Sequence, residues 1–324
     1  MLLVDDSLII QFKNRSFERM FPLAAAEIGT ALTAESMPPE LAAAAAKSLS
    51  NGLRTMAQLR ITDGSEVVYR IEACPIYPRQ QTACLLMVED ITEQTHTEQI
   101  RKDFVTNASH ELRTPLALIH GYIETLQSGM FKGSASMQRC LEVMDKHSRR
   151  MMRIIEDMLT ISRLEGSDGQ LKFEPFHIRG CVEDVLEHLT PLIDLRQPVV
   201  KLDLPMDGVI NGDRFYWDQI FTNLLENALK ENVKPGLRLT VSGTWTSDSV
   251  TLTVSDNGVG IPAEDIPFVF KRFFRCAKHH SQEVKGTGLG LSIVKRAVEA
   301  HGGTVSVRST PGVETVFTMT LPVR

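Results

Sequence analysis

The chain lacks the signatures of a membrane span, a nucleic-acid binder or a disulfide scaffold. No stretch approaches the ~18 consecutive apolar residues that cross a bilayer. Asp5 and Asp6 interrupt the N-terminal apolar run almost at once, so no signal peptide is read there. A net charge of −5 gives no electrostatic footprint for nucleic acid. The five cysteines (Cys74, Cys84, Cys140, Cys181, Cys276) are odd in number and scattered, without a CxxC pair. That pattern excludes a disulfide framework and a cysteine zinc site, and it fits a reduced, cytoplasmic compartment. What is present is ordinary: 43% hydrophobic and 23% charged residues in a chain of 324, long enough for two or three domains.

Residues 1–94 mix short strands and short helices. Residues 2–4 and 8–12 read as a hairpin around Asp5-Asp6-Ser7. Residues 14–20 turn helical, and the alanine-rich 40–49 is helical too. Later strands fall at 59–74 and 83–88, punctuated by Asp63-Gly64. This order, ending in Met87-Val88-Glu89-Asp90-Ile91-Thr92-Glu93, resembles a PAS sensor domain, with an unspecified α+β domain as the alternative. No residue in 1–92 stands out as a cofactor ligand, and His96 reads as a surface residue of the linker.

From residue 95 to 167 the period changes to that of helices. Ile100, Phe104, Ala108, Leu112, Leu116, Ile119, Ile123 and Leu126 recur every three or four residues. Ser128-Gly129 and Gly133-Ser134 mark a break. A second stripe follows at Leu141, Met144, Ser148, Met151, Ile155, Met158 and Ser162, in heptad spacing. One such hairpin buries little, so two copies pairing into a four-helix bundle is the natural solution. Residues 168–324 read as α/β. Helices are expected at 179–189, 214–230 and 289–300, and strands at 199–204, 237–242, 250–255, 304–308 and 316–321.

The first stripe carries an unusual octapeptide, Ser109-His110-Glu111-Leu112-Arg113-Thr114-Pro115-Leu116. At about 100° per residue, His110 lies opposite the midpoint of Ala108 and Leu112 and so faces water. A histidine alone reads as a surface or core residue without chemistry. Its neighbours change that reading. Glu111 is placed to orient the imidazole and take its proton, making the free nitrogen more nucleophilic. Thr114 follows one turn later on the same face, where a hydroxyl positions water. Pro115 leaves the Glu111 carbonyl without its helical partner, so a bend is expected.

A second constellation lies downstream. Trp217, Ile220, Phe221, Leu224, Leu225, Ala228 and Leu229 form one apolar helix face. Asn223, Asn227 and Lys230 share its shoulder within roughly 60°. Alone this is a solvated face, but two amides and an ammonium also suit a magnesium-bound polyphosphate. On the strand 250–256, Asp256 is in phase with the inward-facing Val250, Leu252 and Val254. Gly258 and Gly260 open the backbone after it. Such a carboxylate either closes a turn or accepts from the exocyclic amine of adenine. Gly286-Thr287-Gly288-Leu289-Gly290 then precedes a helix, where backbone amides approach phosphate. It lacks the P-loop pattern GxxxxGK[ST].

The stretch 104–116 closely resembles the phosphoacceptor motif of two-component sensor histidine kinases. Residues 122–126 resemble the phosphate-sensor (PhoR-like) branch. The segments 223–228, 256–262, 270–275 and 286–290, in that order, resemble the ATP-binding domain of the same family. Its fold is the α/β sandwich (Bergerat or GHKL) shared with the Hsp90, gyrase and MutL ATPases. The resemblance spans roughly 98–324. It implies a multidomain α+β protein: a PAS-like sensor at 1–94, a dimerisation and histidine phosphotransfer hairpin at 95–167, and a catalytic ATP-binding domain at 168–324. It implies His110 as phosphoacceptor, Glu111 and Thr114 as its catalytic neighbours, and ATP and Mg2+ as cofactors with Asn227 as the metal ligand. Asn223 and Lys230 would sit near the phosphates, Asp256 would read adenine in a pocket shaped by Gly258 and Gly260, and Gly286, Gly288 and Gly290 would approach phosphate. Arg275 would reach the terminal phosphate, and residues 276–285, with Lys278-His279-His280, would form a mobile lid.

The implied partners are a second copy of the chain and the receiver domain of a response regulator, with no nucleic acid. A membrane anchor is expected only from an N-terminal segment absent from this chain, which would tie the native protein to the cytoplasmic membrane. Two positions depart from the family pattern. Glu231 stands where tyrosine is common, and the segment 310–317 lacks the usual second glycine. Two rival readings remain: a GHKL-type ATPase that does not phosphorylate itself, and a non-catalytic sensor scaffold.

Overall fold

The computed structural model describes residues 1–21, 27–33, 37–63, 65–77, 81–128, 134–166, 171–232, 235–276 and 286–323. The chain divides into two compact units, Met1–Val105 and Thr106–Arg324.

The first unit is built on a five-stranded antiparallel sheet. Its elements are β1 (Leu2–Asp5), β2 (Ile10–Lys13), α1 (Arg15–Met20), α2 (Pro39–Asn51), β3 (Thr55–Asp63), β4 (Ser65–Ile76) and β5 (Ala83–Asp90). The strand order is β2-β1-β5-β4-β3. Period-2 alternation sets the buried face: Leu2 and Val4 are fully buried, while the alternating Leu3 and Asp5 are not. Asn14 caps α1 by accepting from the Phe17 amide at 3.0 Å. Small side chains let α2 approach the sheet closely. Its Leu41, Ala44, Ala45 and Ser48 are buried, and the Ser48 hydroxyl donates to the Leu53 and Ala73 carbonyls. The Asp63-Gly64 turn falls partly outside the described residues.

A 36-residue helix, α3 (Thr92–Gln127), follows and continues through Pro115. It is paired in sequence with α4 (Ser134–Glu165). The glycines expected to break the two helices lie outside the described residues. The stripe on α4 is phased differently from the expectation. Cys140, Ile154 and Ile161 are the buried positions, whereas Leu141 and Ile155 are 47% and 45% exposed and Ser148 and Ser162 are exposed as well. Both phases share Met144, Met151 and Met158. The helix carries apolar residues on two adjacent stripes, such as Ile154 and Ile155, and periodicity alone does not choose between them.

The rest of the second unit is a layer of helices on a mixed sheet. The elements are β6 (Glu174–His177), α5 (Ile178–His188), α6 (Thr190–Arg196), β7 (Val199–Asp203), β8 (Val209–Gly212), α7 (Arg214–Glu231), β9 (Arg238–Trp245), β10 (Ser249–Asp256), a 3-10 turn (Ile266–Phe268), α8 (Gly290–Ala300), β11 (Thr304–Thr310) and β12 (Glu314–Pro322). The sheet runs β11-β12-β10-β9-β7, antiparallel except for the parallel pair β7 and β9. β6 and β8 form a separate two-stranded ribbon that the apolar pattern did not reveal, nor did it reveal α6.

The core fills the space between α7, α8 and the sheet. Trp217, Ile220, Phe221, Leu224, Leu225, Ala228 and Leu229 all turn inward from α7. They meet Val250, Leu252 and Val254 of β10, Phe317, Met319 and Leu321 of β12, and Val294, Ala297 and Val298 of α8. Each such large side chain contributes roughly 1.5–3 kcal/mol on burial. His301 closes the far end. Its Nδ1 donates to the Ala297 carbonyl at 2.7 Å, and its Nε2 accepts from the Asp213 amide at 2.9 Å. Asp213 in turn caps α7 through the Phe215 amide at 3.1 Å.

Candidate functional site

Two groups of side chains carry the expected chemistry, and both lie in the second unit. On α3, Ala108 is buried and His110 is exposed, as the helical phase requires. Thr114 is exposed one turn later, and its hydroxyl donates to the His110 carbonyl at 3.4 Å. Glu111 faces α4 rather than open solvent. Its carboxylate accepts from Arg150 Nη2 at 2.7 Å in a charge-assisted bond. A residue expected to serve the imidazole is therefore also a bridge between the two helices.

The second group lines a cavity of about 620 Å³. This is within the usual size of small-molecule sites, roughly 300–1,000 Å³. Asn223, Asn227 and Lys230 of α7 reach it together, as do Asp256, Gly260, Arg275, Gly286, Gly288 and Gly290. Gly258 stands beside Asp256 but does not line the cavity; its role is steric. A Cβ there would stand 1.8 Å from Asn232 Oδ1. At Gly260 the backbone φ is +73°, and a Cβ would fall 2.6 Å from the Thr310 carbonyl oxygen. His110 is not among the residues that line the cavity.

Each wall has a physical reason. Asn223 is held by donating to the Gln219 carbonyl at 2.8 Å. Lys230 pairs with Glu226 at 2.6 Å, and Glu226 also meets Arg153 of α4 at 3.5 Å. Asp256 ends β10, where Leu239 and Thr315 flank it on the neighbouring strands. Its Oδ1 accepts from the Gly258 amide at 2.9 Å and from Asn232 Nδ2 at 3.1 Å. Burial pushes its carboxyl up from its ordinary value, and those two hydrogen bonds act against the shift. Among the described residues no donor reaches Oδ2. The glycine-rich loop leads into the N-terminus of α8, whose amides and dipole favour an anion. The Phe273 amide donates to the Gly288 carbonyl at 2.8 Å, which ties the 270–275 segment to that loop.

Sequence reasoning missed four members of this site. Asn232 is buried just past α7 and bonds to both neighbouring segments. Its backbone is not left-handed (φ −104°), so the usual reason for asparagine at a helix end did not announce it. Thr315 is buried beside Asp256. Asp157 of α4 and Thr287 of the loop form a pair in which the threonine hydroxyl donates to the carboxylate at 2.7 Å. Burial raises the Asp157 carboxyl as well, with the Thr287 bond opposing. Glu165 continues the α4 side by pairing with Arg272 and with Arg296. The expected lid, including Lys278-His279-His280, lies outside the described residues from 277 to 285. Cys276, at its edge, has a thiol pushed up to about 11 by burial and by Asp265.

The cavity suits a nucleotide. One wall carries the carboxylate of Asp256, an acceptor for a base, and the same cavity is lined by Asn223, Asn227, Lys230 and the start of α8, groups of the kind that meet phosphates. Among the described residues no group of three or more His, Cys, Asp or Glu side chains could hold a metal. Mg2+ needs no such cage, because one side-chain oxygen plus phosphates and water complete its shell. Asn227 lines the cavity.

Comparisons with known proteins agree with this geometry. Residues 212–324 match the histidine kinase-, DNA gyrase B- and HSP90-like ATPase family, and residues 100–167 match the His Kinase A (phospho-acceptor) domain. Sensor histidine kinase WalK of Bacillus subtilis (strain 168) is 32% identical over 239 residues, 74% of this chain and 39% of that protein. A sensor protein kinase WalK of Staphylococcus aureus is 31% identical, again over 74% of this chain and over 58% of that protein. The chain thus spans between about two fifths and three fifths of the length of these relatives. The Acinetobacter baumannii histidine kinase AdeS superposes with a TM-score of 0.56 at 26% identity, over 66% of this chain and 98% of its own. Histidine kinase ThkA, solved in complex with response regulator protein TrrA, shares the fold with a TM-score of 0.56 at 19% identity, over 100% of this chain and 95% of its own. An exposed histidine in a HisKA segment, followed by an ATP-binding domain of the gyrase B and HSP90 type, makes this chain a member of the two-component sensor histidine kinases.

Proposed function

We propose that the chain is an ATP-dependent protein-histidine kinase that phosphorylates His110 and passes the phosphoryl group to an aspartate of a response regulator. One observation carries the reading: the same compact unit holds an exposed histidine, flanked by Glu111 and Thr114, and a cavity where Asn223, Asn227, Lys230, Asp256 and the glycine-rich loop converge. The adenine amine would be read by Asp256. Asn223, Lys230 and Arg275 would meet the phosphates, and Mg2+, held through Asn227, would supply charge neutralisation. Positioning and electrostatics carry most of the rate in such transfers. His110 lies outside the cavity lining, so the transfer requires a movement that brings its imidazole to the γ-phosphate. Glu111 takes the imidazole proton when it is not engaged by Arg150. Thr114 is placed to hold water for the reverse task, removal of phosphate from the regulator.

The exposed Met137, Leu141, Met152 and Ile155 of α4 support a homodimer through the helical bundle. The strand and helix order of Met1–Val105 supports a PAS-like sensor, and the finer PhoR-like likeness rests on residues 122–126. No described helix is long and apolar enough to cross a membrane. The decisive experiment uses γ-labelled ATP. Wild type is expected to take up an acid-labile, base-stable label that His110→Gln abolishes. Label retained at wild-type level in His110→Gln would overturn His110 as the acceptor, and a wild type that hydrolyses ATP without taking up label would return the chain to the GHKL-type ATPase reading.

A further inference from the structure

Asn232 stands where α7 ends, and its carboxamide is almost wholly withdrawn from solvent, at 5% exposure. An amide in such a place is costly unless each of its polar atoms finds a partner. Here they do. Nδ2 donates to the Ala228 carbonyl at 2.8 Å and to Asp256 Oδ1 at 3.1 Å. Oδ1 accepts from the Val259 amide at 2.6 Å. Two acceptors on one side and one donor on the other leave a single orientation for the amide. The side chain therefore locks three segments together: the last turn of α7, the end of β10, and the loop after it.

The consequence falls on Asp256. Both hydrogen bonds that hold its carboxylate end on Oδ1. That fixes the rotation of the carboxyl group and leaves Oδ2 as the acceptor available to a ligand. Gly258 belongs to the same device. A Cβ at 258 would overlap the Asn232 amide at 1.8 Å from Oδ1, 2.0 Å from Cγ and 2.1 Å from Nδ2. The glycine is thus required by the asparagine, and not only by the ligand.

We infer that Asn232 is a positioning residue for base recognition: it aims the carboxylate of Asp256 at the exocyclic amine of adenine and, with Gly258, sets the nucleotide selectivity of the site. This rests on the reading of Asp256 as the adenine acceptor. Asn232 lines the same cavity, but in this assignment it acts through the Asp256 carboxylate, its own polar atoms being engaged by the protein. Its removal should act on the base and spare the triphosphate.

The test compares binding of ATP with that of purine riboside triphosphate, which lacks the 6-amino group. Calorimetry is run on the whole chain, with melting curves to show that each variant is folded. Wild type is expected to prefer ATP, and Asp256→Ala to lose that preference. Asn232→Ala is expected to lose most of it, by roughly tenfold, the worth of one hydrogen bond to a charged group. Affinity for the analogue should change little. Gly258→Ala should imitate Asn232→Ala. In the Asn232→Ala background it should add almost nothing, because the methyl then has room. If Asp256→Ala keeps the preference, the adenine reading fails. If Asp256→Ala loses it while Asn232→Ala keeps it, or if Asn232→Ala weakens both nucleotides equally, the positioning role is overturned and the reading of Asp256 stands.

Discussion

Gly260 offers the sharpest quantitative test of how the nucleotide loop is held. Its φ of +73° disfavours any residue with a Cβ, a penalty of about 1 kcal/mol on substitution by alanine. The added methyl would also meet backbone, at 2.6 Å from the Thr310 carbonyl oxygen and 2.7 Å from Pro311 Cα. Neither atom belongs to a flexible side chain, so the loop and the β11–β12 turn must separate. Two hydrogen bonds join those segments: the Gly312 amide to the Val259 carbonyl at 2.8 Å, and the Ile261 amide to Ser309 Oγ at 2.8 Å. Losing both costs about 2 kcal/mol more. The sum is about 3 kcal/mol, or a fall of roughly 6–12 °C in Tm for a unit the size of Thr106–Arg324. Gly286→Ala is the matched control, since among the described residues, its chain neighbours aside, no atom lies within 4 Å of where its Cβ would stand. Calorimetric melting of the two variants beside wild type reads the difference. A Gly260→Ala protein melting within about 2 °C of wild type would refute the steric reasoning.

Two further outcomes follow from the same structure. Burial raises the Asp256 carboxyl, so the folded state keeps that proton to higher pH than the unfolded chain does, and the group's contribution to stability declines as pH rises through the raised value. Asp256→Asn removes the ionisation and keeps an oxygen for Gly258 and Asn232; it should melt at or above wild type at neutral pH yet bind ATP at least about tenfold more weakly. A lower Tm with intact ATP binding would contradict this. Leu141→Asp with Ile155→Asp places charge on the exposed stripe of α4; sedimentation should show wild type as a dimer and the double variant as a monomer, and a dimer that survives both changes would remove α4 from the interface.

The parts of the molecule that the sequence revealed are those governed by local periodicity. The α7 stripe from Trp217 to Leu229 is apolar at every inward position and polar at Asn223, Asn227 and Lys230, so its buried face and its cavity face were both readable. Asp256 was found the same way, by its phase with Val250, Leu252 and Val254. The phase of α4 was not, because two neighbouring stripes are both apolar and tertiary packing chooses between them. Asn232 and Asp157 escaped for another reason. Their partners lie 24 and 130 residues away, and nothing in the flanking sequence marks a side chain that will be satisfied at such a distance.

The Thr287 hydroxyl has only one proton. In this structure it is given to Asp157, while the same oxygen accepts from the Leu289 amide at 3.2 Å, at the threshold of α8. A phosphate oxygen brought to the loop would ask for that proton too. Helix and nucleotide then become competing claimants on one donor, and the carboxylate of Asp157 would repel the phosphate as well. By reciprocity, whatever factor the α4 contact takes from nucleotide affinity, the nucleotide takes from the contact. A single hydroxyl would thereby make nucleotide arrival and the grip of α4 report on each other.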